Sequence, residues 1–168
     1  QYYTPKFIID YILNKTLANI DIIENPFIKI IDISCGAGYF LLAAYDLLKE
    51  RFLKEINNLK DKYENEIYMV EKNGKKVKVL GKDYWTKENI HYHILKNCIY
   101  GADKDSFDIE IAKELLLSKE ISDDIDDLNL VNCDSLIRWE KRIGYNAEEE
   151  KMIKFWSNKF DLVVGNPP

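Results

Sequence analysis

Four polar residues recur in the same kind of place, each at or just beyond the end of a short apolar run: Asp32, Asp103, Asp134 and Asn166. In Asn166-Pro167-Pro168 neither proline has a backbone N–H to donate, so the Asn166 side chain and the Pro167 carbonyl offer acceptors while Pro168 stiffens the turn. Taken alone, residues 160–168 read equally well as a strand stopped by a proline turn. A carboxylate at a strand tip, as Asp103 is, can accept hydrogen bonds from both hydroxyls of a ribose. Asp105 or Ser106, not Asp103, fits the cap of the helix that follows.

These groups share one site only if the apolar runs are parallel strands, whose carboxyl ends form the ligand-binding edge of an open α/β sheet. Residues 28–33 read as the first strand and enter the loop Ser34-Cys35-Gly36-Ala37-Gly38-Tyr39-Phe40. A long amphipathic helix follows over residues 41–62, with Leu42, Tyr45, Leu48, Phe52 and Ile56 toward the sheet. Strand, Gly-x-Gly loop and helix make the first unit of a doubly wound fold. A nicotinamide cofactor is disfavoured, because Leu41 stands where the dinucleotide fingerprint requires Gly or Ala.

Ahead of that unit, Thr4-Pro5 predicts a helix start, with Thr4 as cap, Pro5 in the first helical position and an apolar stripe of Phe7, Ile8, Tyr11 and Ile12. Asn73-Gly74 between two strand-like runs predicts a hairpin inserted over residues 63–82, whose Lys75, Lys76 and Lys78 suit a soluble exposed ribbon better than a DNA contact. That insertion delays Asp103 relative to the usual spacing of about 20 residues after the glycine loop. A short helix is expected from Asp83 or Thr86 through Leu95, with His91 and His93 on different faces and neither ligating nor catalytic. Helices over residues 107–118 and 148–156 and strands over residues 98–105, 128–132 and 162–164 complete the pattern.

The 168 residues suit one domain with a sizeable core. The formal net charge of −5 argues against a stand-alone nucleic-acid clamp but not against a catalytic module held on DNA by other segments. The acidic run around Asp123 reads as a solvated loop. The cysteines, Cys35, Cys98 and Cys133, lack metal-ligand spacing and read as reduced, buried residues in a cytoplasmic setting, with no metal and no membrane segment expected. The first residue is not Met and the last is a turn proline, so a piece of a longer protein is expected.

In their order, Tyr3-Thr4-Pro5, Asp32-x-Ser34-Cys35-Gly36-x-Gly38-x-Phe40, Gly101-x-Asp103-x-Asp105, Cys133-Asp134-Ser135-Leu136 and Asn166-Pro167-Pro168 resemble the N6-adenine DNA methyltransferases of restriction-modification and phage-defence systems. The Thr-Pro element ahead of the glycine loop is similar to the gamma arrangement of type I modification subunits and combined type II restriction-modification enzymes. The resemblance implies a Rossmann-like S-adenosylmethionine-dependent fold, with residues 1–168 as the cofactor-binding part of one methyltransferase domain. It implies that Thr4 and the backbone after Asp32, through Ser34, Cys35 and Phe40, hold the methionine part, with Asp32 near its amino group and Gly36 and Gly38 leaving room. Asp103 would bind the ribose, Lys104 and Leu136 would pack on the adenine, and Asp134, beside Ser135, would accept from its exocyclic amine. Asn166, Pro167 and Pro168 would present the target adenine of double-stranded DNA, with a specificity domain or subunit elsewhere. The family's aromatic residue after the second proline lies beyond this sequence, so this chain is expected to bind cofactor at most weakly and not to methylate alone. A protein-glutamine or RNA methyltransferase, which also uses Asn-Pro-Pro, and a non-catalytic cofactor-binding scaffold are the alternatives.

Overall fold

The computed structural model describes residues 3–72, 74–122, 125, 127–139 and 146–167. In chain order these form α1 (Lys6–Lys15), β1 (Ile30–Asp32), α2 (Tyr39–Tyr63), the strands β2 (Ile67–Lys72) and β3 (Lys75–Leu80), α3 (Gly81–Tyr84), α4 (Ile90–His93), β4 (Ile99–Asp103), α5 (Ser106–Leu117), β5 (Leu130–Asn132), α6 (Ala147–Trp156) and β6 (Leu162–Val164). Every pairing in the main sheet is parallel, in the order β5-β4-β1-β6. This is an α/β fold, a parallel sheet flanked by helices with a separate antiparallel hairpin, as the sequence pattern predicts.

Strand alternation assigns the two faces. Ile30, Ile99 and Leu130 enter the larger core with α1, α2 and α5, whereas Ile31, Tyr100 and Val131 enter a smaller one with Met152 and Phe155 of α6. Both faces of β1 and β4 are therefore covered, which explains why their sequences are apolar throughout. The chain enters β1 and β6 side by side: the Lys29 N–H donates to the Asp161 carboxylate at 2.8 Å and the Asp161 N–H to the Lys29 carbonyl at 2.9 Å.

The long helix behaves largely as expected, with Tyr45, Leu48, Phe52 and Ile56 buried and Leu42 half-buried. Its amino end is set by Gly38, in the left-handed region at φ +85, where a β-carbon would lie 2.9 Å from that of Ala112 on α5. The hairpin forms with Lys72 opposite Lys75, while Asn73 lies outside the described residues, as do Asp123, Asp124 and Asp126 of the acidic run.

Three expectations are corrected. Thr4 makes no cap bond: Pro5 sits at the cap position, its carbonyl accepting from the N–H groups of Ile8 and Ile9, so it precedes the helix rather than opening it. On α1 the buried residues are Ile9 and Leu13, while Phe7 and Tyr11 are exposed; α2 lies against a face offset from the stripe seen in sequence. The single helix expected before β4 is broken into α3, a 3-10 turn (Lys87–Asn89), α4 and a wide turn (Ile94–Cys98). Aromatic packing drives that break. Trp85, His93, Phe27 and Phe52 pack together with ring centroids 4.7 to 6.2 Å apart, and the short pieces let all of them point inward.

Candidate functional site

Parallel pairing brings the carboxyl ends of four strands to one edge, and β4 and β6 lie on opposite sides of β1. Strand order therefore reverses at β1, the position where such sheets open a crevice. A cleft of about 760 Å³ lies there. Thr4, Asp32, Ser34, Cys35, Gly36 and Phe40 line one part of it. Asp103 and Lys104 from the tip of β4, and Asp134, Ser135 and Leu136 beyond β5, line a second part. Asn166 and Pro167 beyond β6 complete it. Gly38 is not among the lining residues; Ala112, not a ligand, occupies the space beside it. Pro168 lies outside the described residues.

The acidic tips differ in environment. Asp32 is almost wholly buried, its Oδ1 accepting from the Ser34 N–H at 3.0 Å. Burial first, and the nearby Asp103 charge after it, push its carboxyl up to about 6, against the lowering effect of the Ser34 bond. Asp103 accepts from the Gly36 N–H at 2.8 Å through Oδ2 and from the Asp105 N–H at 2.9 Å through Oδ1. It thus ties the glycine loop to the tip of β4, and each carboxylate oxygen retains capacity for a second hydrogen bond. The helix cap is Asp105, which accepts from the Phe107 N–H at 2.9 Å, so Asp103 is not needed for that purpose. Asp134 is exposed and accepts from the Leu136 N–H at 2.9 Å, leaving Leu136 92% exposed on the rim. The Ser135 hydroxyl donates to the Ile33 carbonyl at 2.5 Å and joins that loop to the one after β1.

Asn166 and Pro167 are exposed in the cleft beyond the end of β6, the strand next to β1. Both cysteines in the lining, Cys35 and Cys133, are held above their ordinary range by burial and remain neutral thiols. His91 and His93 lie away from the cleft: His91 faces the Tyr45 hydroxyl at 2.7 Å, and His93 Nε2 donates to the Pro26 carbonyl at 2.7 Å. No group of three or more His, Cys, Asp or Glu among the described residues could hold a metal ion.

Tyr3 and Tyr39 also line the cleft, packed edge to face with centroids 5.1 Å apart. They sit inside the Tyr-Thr-Pro and glycine-loop motifs, yet nothing in the spacing of either motif brings the two rings together. Gly165 reads from the sequence as part of the Gly-Asn-Pro-Pro turn, and nothing in that stretch places it beside Asp32.

Residues 97–168 match the family described as Eco57I restriction-modification methylase. The matched stretch contains β4, β5, β6 and the Asp103, Asp134 and Asn166 tips. No curated protein matches the chain.

Proposed function

Because residues 97–168 match a restriction-modification methylase family, we propose that the cleft takes S-adenosylmethionine and serves methylation of adenine N6 in DNA. The observation that carries this reading is the convergence on one cleft of three acidic tips, Asp32, Asp103 and Asp134, and the Asn166-Pro167 acceptor pair. The donor set fits the cofactor. Among the described residues, Asp32, Asp103, Asp105 and Asp134 line the cleft against one cation, Lys104, an excess of negative charge that favours a sulfonium and an ammonium. The Ser34 hydroxyl is buried in the same wall with no partner among the described residues, which leaves it available to a ligand.

Bound there, S-adenosylmethionine supplies an electrophilic methyl group. Asp32 would hold the ammonium, Asp103 the ribose hydroxyls, and Asp134 the exocyclic amine of the cofactor's adenine, with Leu136 against that ring. Asn166 Oδ1 and the Pro167 carbonyl would accept the two hydrogens of the target amine. Held so, the amine would have its lone pair freed from delocalisation into the base, and the chain's contribution would be positioning without a covalent enzyme intermediate. Delivering the base requires lifting it from the duplex stack, at a cost of a few kcal/mol. On this reading the hairpin of residues 63–82 is an insertion in a single methyltransferase domain, and the DNA-reading part lies in another segment or subunit.

Calorimetric titration with S-adenosylmethionine tests the pocket. Asp103→Ala and Asp134→Ala are each expected to weaken binding about tenfold or more, the worth of one charge-assisted hydrogen bond. Saturable binding unchanged by both substitutions overturns the assignment. Methyl transfer by the full-length protein, compared on DNA, RNA and protein acceptors, tests the substrate; labelled adenine N6 in DNA is expected.

A further inference from the structure

We infer that Gly165 is a positioning residue that sets the acceptor turn directly against Asp32, so that the two parts of the site meet at one backbone position. The inference rests on the functional reading above and concerns a residue that reading does not use.

Strand register creates the contact. Asp32 pairs with Val164 in the parallel β1–β6 ladder, so the two strands end level and Gly165 emerges beside the carboxylate. A β-carbon on Gly165 would lie 2.5 Å from Asp32 Oδ1 and 3.1 Å from Cγ, closer than atoms approach without a shift. Gly165 also has φ +143, a conformation that residues with a side chain avoid. The carboxylate cannot easily yield, because Asp32 is buried and Oδ1 is held by the Ser34 N–H at 3.0 Å. Any side chain at 165 must therefore displace the Asp32 carboxylate or swing Asn166 and Pro167 out of the cleft. Glycine here lets the group facing the cofactor ammonium and the group facing the target amine sit two residues apart in register across neighbouring strands, with Gly165 alone between them. Asp103 from β4 and Cys35 from the glycine loop are the titratable groups facing Asp32, and β6 contributes none.

Two measurements on Gly165→Ala test this. In thermal unfolding, Gly165→Ala is expected to lower the melting temperature by roughly 5 °C or more. About half of that loss should disappear in an Asp32→Ala background, where the obstructing oxygen is gone, and all of it should persist with the isosteric Asp32→Asn. Equal losses in all three backgrounds would mean backbone strain alone and overturn the contact. In cofactor titrations, the pH at which S-adenosylmethionine affinity falls should move upward in Gly165→Ala, because the added methyl further desolvates Asp32. A shifted affinity with an unmoved pH profile overturns the positioning role. Absence of cofactor binding by the unmodified protein would sink the functional reading, while the thermal comparison would still decide the contact.

Discussion

At the level of single residues, two buried ionisable groups oppose each other in acid. Asp32 titrates near 6 in the folded protein, against 3.8 for an ordinary aspartate, so the native state binds its proton more tightly than the unfolded chain does. Its contribution to stability is therefore present in acid and lost as pH rises from about 4 to 6. His93, fully buried, is held down to about 4 from 6.5, so its contribution is complete above 6.5 and lost as pH falls toward 4. With Nε2–H given to Pro26, Nδ1 accepts from the Tyr84 hydroxyl at 2.7 Å, an arrangement only the neutral ring can make. Asp32→Asn keeps an acceptor for the Ser34 N–H and removes the cost of a buried charge. It is expected to raise stability at neutral pH by up to about 3 kcal/mol, the equivalent of the shift from 3.8 to about 6. Urea unfolding at pH 7 and pH 4.5 checks this: the variant should gain most at pH 7 and lose stability more steeply toward acid, with His93 left unopposed. An unchanged pH dependence would refute the assignment. The same substitution should cost cofactor affinity, a price of the kind that functional sites exact from stability.

Among the elements, helix starts carry the site loops, and they do so by different means. Helix α6 begins with a reciprocal cap in which the Glu149 N–H donates to Asn146 Oδ1 at 2.9 Å and the Asn146 N–H to Glu149 Oε2 at 3.0 Å. Helix α5 begins on Asp105. Helix α2 has no side-chain cap and begins instead at left-handed Gly38, pressed against Ala112. Asn146→Ala should cost about 1 kcal/mol in chemical denaturation without altering cofactor binding. Gly38→Ala should cost more, roughly 1–3 kcal/mol, because it adds backbone strain to a steric clash. It should also weaken cofactor binding by moving the loop that Asp103 holds through Gly36. Equal effects of the two substitutions on binding would separate the glycine loop from the site. The amphipathic period of α2 was legible in its residues, as were β6 and the hairpin, because each is dictated by local pattern and turn chemistry. The buried face of α1 was not. Phe7 with Tyr11 and Ile9 with Leu13 recur at the same helical spacing, and only the position of α2 selects between the two sets.

In the molecule as a whole, β6 is the edge strand of the described sheet, and Val163 on it is 60% exposed. An apolar edge of that kind invites pairing with another strand. Residues 1–168 are therefore expected to self-associate as concentration rises, with Val163→Lys reducing the effect; light scattering that finds a monomer at high concentration would contradict this. No helix among the described residues is long and apolar enough to cross a membrane. The sequence alone determined the parallel α/β class and placed an acid or amide at the ends of β4, β5 and β6 and a carboxylate at the end of β1, since strand periodicity and proline stops act over a few residues. That Asp32, Asp103, Asp134 and Asn166 share one cleft was an expectation that only the strand order made concrete. Tertiary structure alone decided that Asp103 holds the glycine loop, that Gly38 faces a helix, and that Gly165 abuts Asp32. Each of these depends on residues between 67 and 133 positions apart meeting through strand register and helix packing, and no local pattern along the chain encodes such distances.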